Sequence, residues 1–398
     1  MSELLIRAGQ VFSAADRDPL LKDAWVRVEG NRIVEVASSE PAASGSATRI
    51  DAPGATLLPG LIDCHVHFAL HGGPDWLSET KEPYATSCWR AAIHARDTLK
   101  AGFTMVRTLG GRDGADTALR DAQAAGIVAG PRIVATNLVV CMTGGHAWWV
   151  GREADGPDEV RKAVREQLKA GADCIKFIAT GGVMTPGVAP GSQQLTLEEL
   201  SAGVEEAHKA GRTTAAHAHG ADGMKAAVLA EIDSIEHGSF MTDEIISLMK
   251  ARGTFYSATL CSAQGFLDAP EGLVADWAQI KATQVRLALD DTFRRAYAAG
   301  VKLVLGTDAG TPFNRHGDNA RELVLMVKLG VAPLDALRAG TRNGAELLGK
   351  LDSFGTIEPG KIADLVLVEG DVGGDIARLC VPSNIRTVIQ DGTIVHGA

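Results

Sequence analysis

Two histidines separated by a single residue, His65 and His67, lie near the end of the apolar run Leu57–Phe68. In a β-strand, side chains two positions apart point to the same face, so both imidazoles would project together from the strand. Two neutral imidazoles that converge on one point form half of a metal site. The alternative is a pair of core histidines that each hydrogen-bond to the backbone. Polar residues elsewhere in the chain bear on this choice.

Four other apolar runs contain or end in residues that can bind metal ions. Lys176 lies in CIKFIATGG, His217 and His219 lie in AAHAHG, His237 lies in SIEHGS, and Asp308 lies in VLGTDAG. If these runs are parallel strands of a barrel, their carboxyl ends meet at one rim, where barrel enzymes hold their active sites. Each residue alone has an ordinary explanation, but their joint placement at strand ends favours a metal site.

The elements that would position these residues are eight apolar runs, which alternate with segments of helical periodicity. The runs cover residues 57–68, 104–110, 132–140, 174–181, 213–220, 234–239, 254–260 and 301–309. The clearest helical segments cover residues 84–101, 158–170, 196–210, 221–230 and 283–299. This order predicts an α/β fold with a (β/α)8 TIM barrel over residues 57–355. A doubly wound sheet is disfavoured because no GxGxxG or GxxxxGKS/T motif follows a strand.

Both ends of the chain have strand-like sequence interrupted by turn signals, such as Gly30-Asn31 near the start. After Gly355, the segments GTIEPGKIADLVLVEG and IRTVIQDGTIVHG carry Pro-Gly and Asp-Gly turns. We therefore expect residues 1–56 and 356–398 to pair into one composite β-sandwich domain beside the barrel.

Lys176 is the most informative single residue, because Ile175 and Phe177 flank it. Burying an unpaired ammonium costs several kcal/mol, so the side chain needs a partner or a modification. It could form a Schiff base with a substrate, as in barrel aldolases. It could instead be carbamylated and bridge two metal ions, or form an internal salt bridge, for example with Asp63. The surrounding histidines favour the metal bridge.

With these motifs in place, the chain resembles the amidohydrolase superfamily over nearly its whole length. The likeness comprises PGLIDCHVH, the strand-four lysine, the histidines that end strands five and six, GTDAG, and the tail EPGKIADLVLVEGD. Within the superfamily, TGGHAW, IKFIATGGVMTP, AHAHG and GDNARELVLM resemble a branch of Xaa-Arg/Lys dipeptidases and prolidase-like metallopeptidases. Aryl-urea, carbamate and mycotoxin amide hydrolases resemble the same branch.

The resemblance implies two zinc ions and a binuclear site. It implies six ligands: His65, His67 and Asp308 for one ion, His217 and His237 for the other, and carbamylated Lys176 as a bridge together with a hydroxide. Zinc takes imidazole and carboxylate ligands, and it lowers the pKa of bound water towards about 7. Asp308 would also take a proton from that water and pass it to the leaving amine.

Three further histidines are candidate substrate contacts. His146, in MTGGHAWW, is a candidate catalytic residue that would polarise the carbonyl oxygen, and the alternative is a loop histidine in water. His219 stands where several related dipeptidases have a tyrosine, so it could touch the substrate or replace a ligand. His316 follows Asp308 closely enough to reach the substrate. The glycine-rich segment 179–187 is interpreted as a mobile active-site loop rather than a phosphate cradle.

Composition narrows the class of protein. The chain has 398 residues, a net charge of −10 and no basic run, which argues against nucleic acid or anionic membrane as a partner. No signal peptide or long apolar segment is evident, so we expect a cytoplasmic protein. Six widely spread cysteines fit reduced thiols. The expected partner is a small-molecule substrate, and family analogy suggests a homo-oligomer.

The predicted function is hydrolysis of an amide-type C–N bond by a metal-bridging hydroxide. A dipeptidase, a carboxypeptidase-like enzyme or an N-acyl-amino-acid hydrolase is favoured. The alternative within this class is a hydrolase of aryl ureas, carbamates or aromatic amides, including xenobiotics or mycotoxins. Two alternatives lie outside the class of C–N hydrolases. One is a Schiff-base lyase that uses Lys176, and the other is a barrel that has lost catalysis and acts as a scaffold.

Overall fold

The computed structural model describes residues 2–17 and 19–397, which contain sixteen β-strands and eleven α-helices. The strands are β1 (Glu3–Phe12), β2 (Leu20–Glu29), β3 (Arg32–Ala37), β4 (Thr48–Pro59), β5 (Leu61–Val66), β6 (Phe103–Thr108), β7 (Arg132–Val134), β8 (Val139–Cys141), β9 (Gly151–Glu153), β10 (Cys174–Ile178), β11 (Thr213–Ala218), β12 (Ser234–His237), β13 (Phe255–Ser257), β14 (Leu365–Glu369), β15 (Ile385–Gln390) and β16 (Thr393–Gly397). The helices are α1 (Tyr84–Lys100), α2 (Ala115–Ala124), α3 (Pro157–Lys169), α4 (Leu197–Lys209), α5 (Ala221–Leu229), α6 (Asp243–Arg252), α7 (Leu260–Asp268), α8 (Asp276–Ala299), α9 (Arg321–Lys328), α10 (Pro333–Ala339) and α11 (Arg342–Leu347).

The middle of the chain alternates parallel strands with helices. One sheet has the order β5-β6-β7 and a second has the order β13-β12-β11-β10-β8-β9, with parallel pairing throughout. The strands of these sheets are almost continuously apolar, as expected when helices cover a parallel sheet. The α/β fold is therefore as predicted.

Backbone hydrogen bonds connect the two parallel sheets. The N–H group of Asp173, just before β10, donates to the carbonyl of Ala135, just after β7, at 2.7 Å. On the other side, the segment 301–309 forms isolated parallel bridges through Leu303 to β13 and through Ala309 to β5. No single closed sheet is assigned in residues 2–17 and 19–397, so closure of the predicted eight-stranded barrel stays a prediction.

Two of the predicted strands are each divided in the structure. The run 57–68 belongs to two strands, because β4 continues to Pro59 and β5 begins at Leu61. The break falls at Gly60, where a Cβ atom would lie 2.0 Å from Oγ1 of Thr104, so only glycine allows this close approach. The run 132–140 is likewise split into β7 and β8.

Four of the five predicted helices agree with α1, α3, α4 and α5 to within about a turn. The fifth begins seven residues earlier than predicted, at Asp276 rather than Thr283. Its extra turns continue the helical period, because Ala278, Ala282 and Val285 all face the protein interior.

Strands from both ends of the chain form one seven-stranded sheet of order β16-β15-β14-β4-β1-β2-β3. Within it, β4 pairs parallel with β1 and antiparallel with β14. The turn at Gly30 and Asn31 connects antiparallel β2 and β3, as predicted. A division of the chain into residues 1–56 with 356–398, and residues 57–355, stays a prediction.

Two general expectations concern the thiols and the membrane. All six cysteines are unpaired, and four of them are buried. Every helix in the described part of the chain is too short or too polar to cross a lipid bilayer.

Candidate active site

Polar side chains from several strand ends meet in one cavity of about 820 Å³, which includes the part open to solvent. Of the nine residues that the sequence singled out, eight line this cavity: His65, His67, His146, Lys176, His217, His219, His237 and Asp308. The carboxyl ends of parallel strands thus deliver the polar groups to one place, as expected for this architecture.

The first cluster comprises His65, His67 and Asp308, all three of which are buried. Atom Oδ1 of Asp308 lies 3.0 Å from Nε2 of His67 and 3.3 Å from Nε2 of His65. The other ring nitrogen of His67, Nδ1, donates to the carbonyl of Gly110 at 2.7 Å. Nδ1 of His65 donates to Oε2 of Glu236 at 2.9 Å. In both residues, the hydrogen bond on Nδ1 leaves the lone pair on Nε2 for a metal ion.

The second cluster comprises His217, His219 and His237, also buried. The ring centroids of His217 and His237 lie 4.5 Å apart, and those of His219 and His237 lie 4.9 Å apart. His217 donates from Nε2 to the carbonyl of Gly181 at 3.1 Å, while Nδ1 of His237 hydrogen-bonds to Oγ1 of Thr259 at 2.7 Å. The sequence favoured His217 as the ligand, and the geometry also admits His219 in that cluster.

The donor set fits divalent metal ions. Each cluster gathers three ligand atoms within 4.8 Å of one another from imidazoles and, in the first cluster, a carboxylate. Burial lowers the pKa of His65 to about 4 and that of His219 to about 3, so both rings are neutral near pH 7, the form that binds metals. Zinc prefers imidazole and carboxylate ligands of this kind.

Two of the candidate ligands have unusual backbone conformations. Asp308 has φ 61° and His237 has φ 70°, both in the left-handed region that is unfavourable for residues other than glycine. The backbone of Asp308 is held by its N–H group, which donates to the carbonyl of His65 at 2.7 Å. Local strain of this sort is concentrated at functional sites.

Lys176 lies in β10 and is 2% exposed. Burial is the main cause that lowers the pKa of its ammonium to about 8, although Glu236 and Asp308 oppose the shift. The alternative of a salt bridge to Asp63 is wrong. Both oxygens of Asp63 instead accept hydrogen bonds from Thr307, at 3.1 Å from the backbone N–H group and 2.7 Å from Oγ1.

His146 is buried, so the alternative of a loop histidine in water is wrong. Its ring lies 4.3 Å from that of His217, measured between centroids. Nδ1 of His146 hydrogen-bonds to Oγ1 of Thr185 at 2.7 Å, and Thr185 belongs to the loop after β10. That loop is held from outside, because Nζ of Lys281 donates to the carbonyls of Thr185 and Val188.

His316 does not line the cavity, so its expected contact with substrate is not seen. Its ring stacks on His94 at 4.5 Å, and its Nε2 donates to the carbonyl of His67 at 3.2 Å. The chain after Asp308 turns back beneath the first cluster, a path that closeness in sequence could not show.

The groups that support the ligands and form the cavity wall are not among the residues predicted from the sequence. Glu236 is adjacent to His237 in SIEHGS and could have been found as a buried acid, since an apolar strand rarely carries one without a partner. Arg107, in FTMVRT, is 0% exposed. The apolar wall includes Trp149, Phe266 and Leu289, which lie far apart in sequence and give no local signal.

A family model described as the amidohydrolase family matches residues 56–395 of the chain. The chain belongs to the amidohydrolase family. Ochratoxinase of Aspergillus niger is 33% identical over 380 residues, which cover 86% of this chain and 76% of the relative. Amidohydrolases are hydrolases that commonly bind metal ions, which agrees with the two clusters described above.

Solved structures of other family members resemble this one over the full chain. A Xaa-Pro dipeptidase with bound methionine in its active site is 36% identical, with a TM-score of 0.93 and coverage of 100% of both chains. A prolidase in complex with N-methylphosphonate-L-proline is 30% identical, also with a TM-score of 0.93 and full coverage of both chains. These likenesses establish the α/β amidohydrolase fold and the family.

Proposed function

We propose that this protein is a binuclear zinc hydrolase that cleaves an amide-type C–N bond in dipeptides or N-acyl amino acids. One observation carries the proposal: two buried three-residue clusters of metal-ligand type share one cavity with a buried lysine. His65, His67 and Asp308 would hold one ion, and His217 and His237 the other. Lys176 would bridge them as a carbamate, for which a buried amine with a lowered pKa is suited.

Two zinc ions in this site would supply Lewis acidity and an activated water nucleophile. The chain's own residues would bind the substrate, exclude bulk water and move protons. Asp308, whose Oδ1 lies among the ligands, would accept the proton of the attacking water and deliver it to the leaving nitrogen.

His146 would polarise the scissile carbonyl. If Thr185 donates its hydroxyl proton to Nδ1, the Nε2–H group of His146 stays available as a donor to the carbonyl oxygen. Burial lowers the pKa of His146 to about 3, so the ring would act as a neutral hydrogen-bond donor rather than as an acid. His219 would contact the substrate beside the second cluster.

The cavity wall supports substrates with apolar groups near the scissile bond. Apart from the residues of the metal clusters and Lys176, no charged side chain lines the cavity in the described residues. The wall is formed instead by side chains such as Trp149, Val183, Met184, Phe266 and Leu289. This wall also favours a second candidate function, hydrolysis of aromatic amides, aryl ureas or carbamates.

Two of the similar proteins support this range of substrates. The likeness to a Xaa-Pro dipeptidase supports a dipeptide substrate, and the likeness to ochratoxinase supports hydrolysis of a mycotoxin amide. We further propose that the two parallel sheets close into one barrel, with residues 1–56 and 356–398 as a separate β-domain. The protein would act in the cytoplasm as a homo-oligomer on a small-molecule substrate.

The test is the metal content of protein purified without chelator in the presence of bicarbonate, followed by a substrate screen. We expect about two zinc ions per chain and chelator-sensitive hydrolysis. The screen would compare the hydrolysis of dipeptides and N-acyl amino acids that have apolar side chains with that of the same compounds with charged side chains. Aryl amides and carbamates would be tested beside them. Hydrolysis that persists at full rate without metal would contradict the proposal. Trapping of Lys176 by borohydride with a carbonyl substrate would favour the Schiff-base alternative.

A further inference from the structure

A chain of buried polar groups runs behind His65, away from the cavity. Arg107 in β6, Glu236 in β12 and His65 in β5 are connected by hydrogen bonds across three strands. The side chains of Arg107 and Glu236 are both 0% exposed. Burial of an ion pair is costly in free energy, so a pair at this position calls for a specific role.

The two carboxylate oxygens of Glu236 have different partners. Oε1 accepts hydrogen bonds from Nη2 of Arg107 at 2.9 Å and from Oγ of Ser234 at 2.5 Å. Oε2 accepts the hydrogen bond from Nδ1 of His65 at 2.9 Å. Arg107 is fixed in turn, because its Nε atom donates to the carbonyl of Cys64 at 2.7 Å. The carboxylate therefore has one oxygen for the arginine and one for the imidazole.

This arrangement determines the tautomer of His65. Since an ionised carboxylate only accepts hydrogen bonds, Nδ1 of His65 must carry the proton. Nε2 is then unprotonated, and this is the atom that lies 3.3 Å from Oδ1 of Asp308 in the first cluster. A ring whose other nitrogen donates to a carboxylate is fixed in orientation and is more basic as a metal ligand.

We propose that Glu236 is a positioning residue for the first metal site, acting through His65, and that Arg107 keeps its carboxylate in place. The inference rests on the metal site proposed above. Because Glu236 directly precedes His237, strand β12 would supply a ligand to the second site and orient a ligand of the first.

A purely structural ion pair would not need this geometry. Arg107 and Glu236 could pair through both carboxylate oxygens in the bidentate form that such pairs often adopt. Here only Nη2 of Arg107 reaches the carboxylate, and Nη1 is buried without a hydrogen-bond partner in the described part of the chain. Oε2 of Glu236 binds the imidazole of His65 instead of completing a bidentate pair with Arg107.

The test is Glu236→Gln, studied by zinc binding and by histidine-selective ¹⁵N NMR. The side chain of glutamine has one oxygen that accepts hydrogen bonds and one NH2 group that donates them. If its oxygen accepts from Arg107, its NH2 group faces His65, and the reverse also holds. We expect zinc affinity at the first site, measured by chelator competition, to fall about 10- to 100-fold. Affinity at the second site would change far less. In the metal-free protein, the ¹⁵N shifts of His65, assigned with His65→Asn, would move away from the Nδ1–H tautomer.

Asp364→Asn is the matched control. Asp364 is also a buried carboxylate, paired with Arg132 at 3.4 Å and bound to the N–H group of Asp391 at 2.7 Å, but it contacts no candidate ligand. It should lower stability without changing zinc affinity or the tautomer of His65. If Glu236→Gln does not fold, Ser234→Ala removes one hydrogen bond to the same carboxylate and should weaken the first site about 2- to 5-fold.

The possible results separate this inference from the proposed function. Two zinc sites of unchanged affinity in Glu236→Gln, with the tautomer of His65 also unchanged, would overturn the positioning role and leave the hydrolase proposal intact. If Glu236→Gln does not fold and Ser234→Ala is studied instead, unchanged zinc affinity in Ser234→Ala would likewise overturn the positioning role. A wild-type protein that binds no zinc would overturn the metal site, while a shifted His65 tautomer in the metal-free variant would still support the contact with Glu236.

Discussion

Oδ1 of Asp308 lies 3.0 Å from Nε2 of His67, although His67 follows β5 and Asp308 lies far along the chain, in the segment 301–309. The bridge between Ala309 and Val66 brings these segments together. The side chain of Asp308 is thereby placed among candidate ligands, where a carboxylate can both bind metal and exchange protons with water. Burial by itself raises the pKa of Asp308, but the neighbouring imidazoles His65 and His67 outweigh it and hold the pKa at about 2.

Asp308→Asn should therefore lower kcat by about 10²- to 10⁴-fold, the range for loss of general acid–base catalysis. The measurement is steady-state kinetics on protein whose zinc content is determined in parallel. Ser262→Ala is a suitable control, because it keeps the carboxylate of Asp308 and removes only a hydroxyl that hydrogen-bonds to Asp308 and, at 3.3 Å, to Oγ1 of Thr311. It should cost less than about 10-fold in kcat. Near-normal turnover in Asp308→Asn would exclude the proton-transfer role.

Lys176→Ala should abolish activity and lower the zinc content, because the carbamate bridge would be lost. Short carboxylic acids should restore part of both by filling the space of the bridging group. Lys176→Arg is the matched control, since arginine keeps the positive charge but stays protonated and cannot form the carbamate. An active Lys176→Ala variant with a full complement of zinc would refute the bridge.

The positions that could be predicted from sequence are those set by local periodicity. The two-residue spacing predicts that His65, in β5, and His67, just after its end, project together. The strand-end positions of His217, His237 and Asp308 follow from the strand order. These residues meet because parallel strands share one edge, a rule that needs no tertiary information.

What could not be predicted depends on contacts between distant segments. The burial of His146 results from a loop that Lys281 and Trp76 hold in place, and neither residue is near it in sequence. The opposite holds for His316. It is close to Asp308 in sequence, but a turn in the chain takes it away from the cavity. The break at Gly60 depends on Thr104 in the neighbouring strand. Contacts of this kind involve single residues and therefore leave no periodic pattern in the sequence.

His146→Ala should lower kcat about 10- to 1,000-fold without removing zinc, because a donor to the developing oxyanion would be lost. Thr185→Val tests the same group more gently, since it removes the hydroxyl partner of Nδ1 and leaves the ring in place. We expect a smaller loss in Thr185→Val and an unchanged zinc content in both. Loss of zinc in His146→Ala would instead identify His146 as a ligand.

Stability should depend on pH through Glu322. Burial raises the pKa of this carboxyl group to about 7, although it accepts hydrogen bonds from the N–H groups of Leu260 and Cys261 at 2.8 Å each. The folded protein then binds a proton that the unfolded chain releases at about 4.5, so the free energy of unfolding falls as pH rises from about 4.5 to 7.

Glu322→Gln removes this titration and should flatten the decrease by up to about 3 kcal/mol across that range. The measurement is the free energy of unfolding from denaturant titration at several pH values in wild type and variant. Other groups, such as Glu79 with a pKa raised by burial to about 7, contribute equally to both proteins and cancel in the difference. Parallel pH profiles would contradict the assignment to Glu322.

Leu289 and Leu287 offer a matched test of the apolar cavity wall. Both lie in α8, but Leu289 is 1% exposed and lines the cavity, whereas Leu287 is 74% exposed on the opposite face. Leu289→Ala removes apolar contact with the substrate, so kcat/KM for the best apolar substrate should fall about 10-fold or more. Because that contact is present in both ground and transition states, the loss should appear mainly in KM. Leu287→Ala should leave both constants unchanged, and an equal effect of the two substitutions would show that the helix, rather than the cavity wall, is responsible.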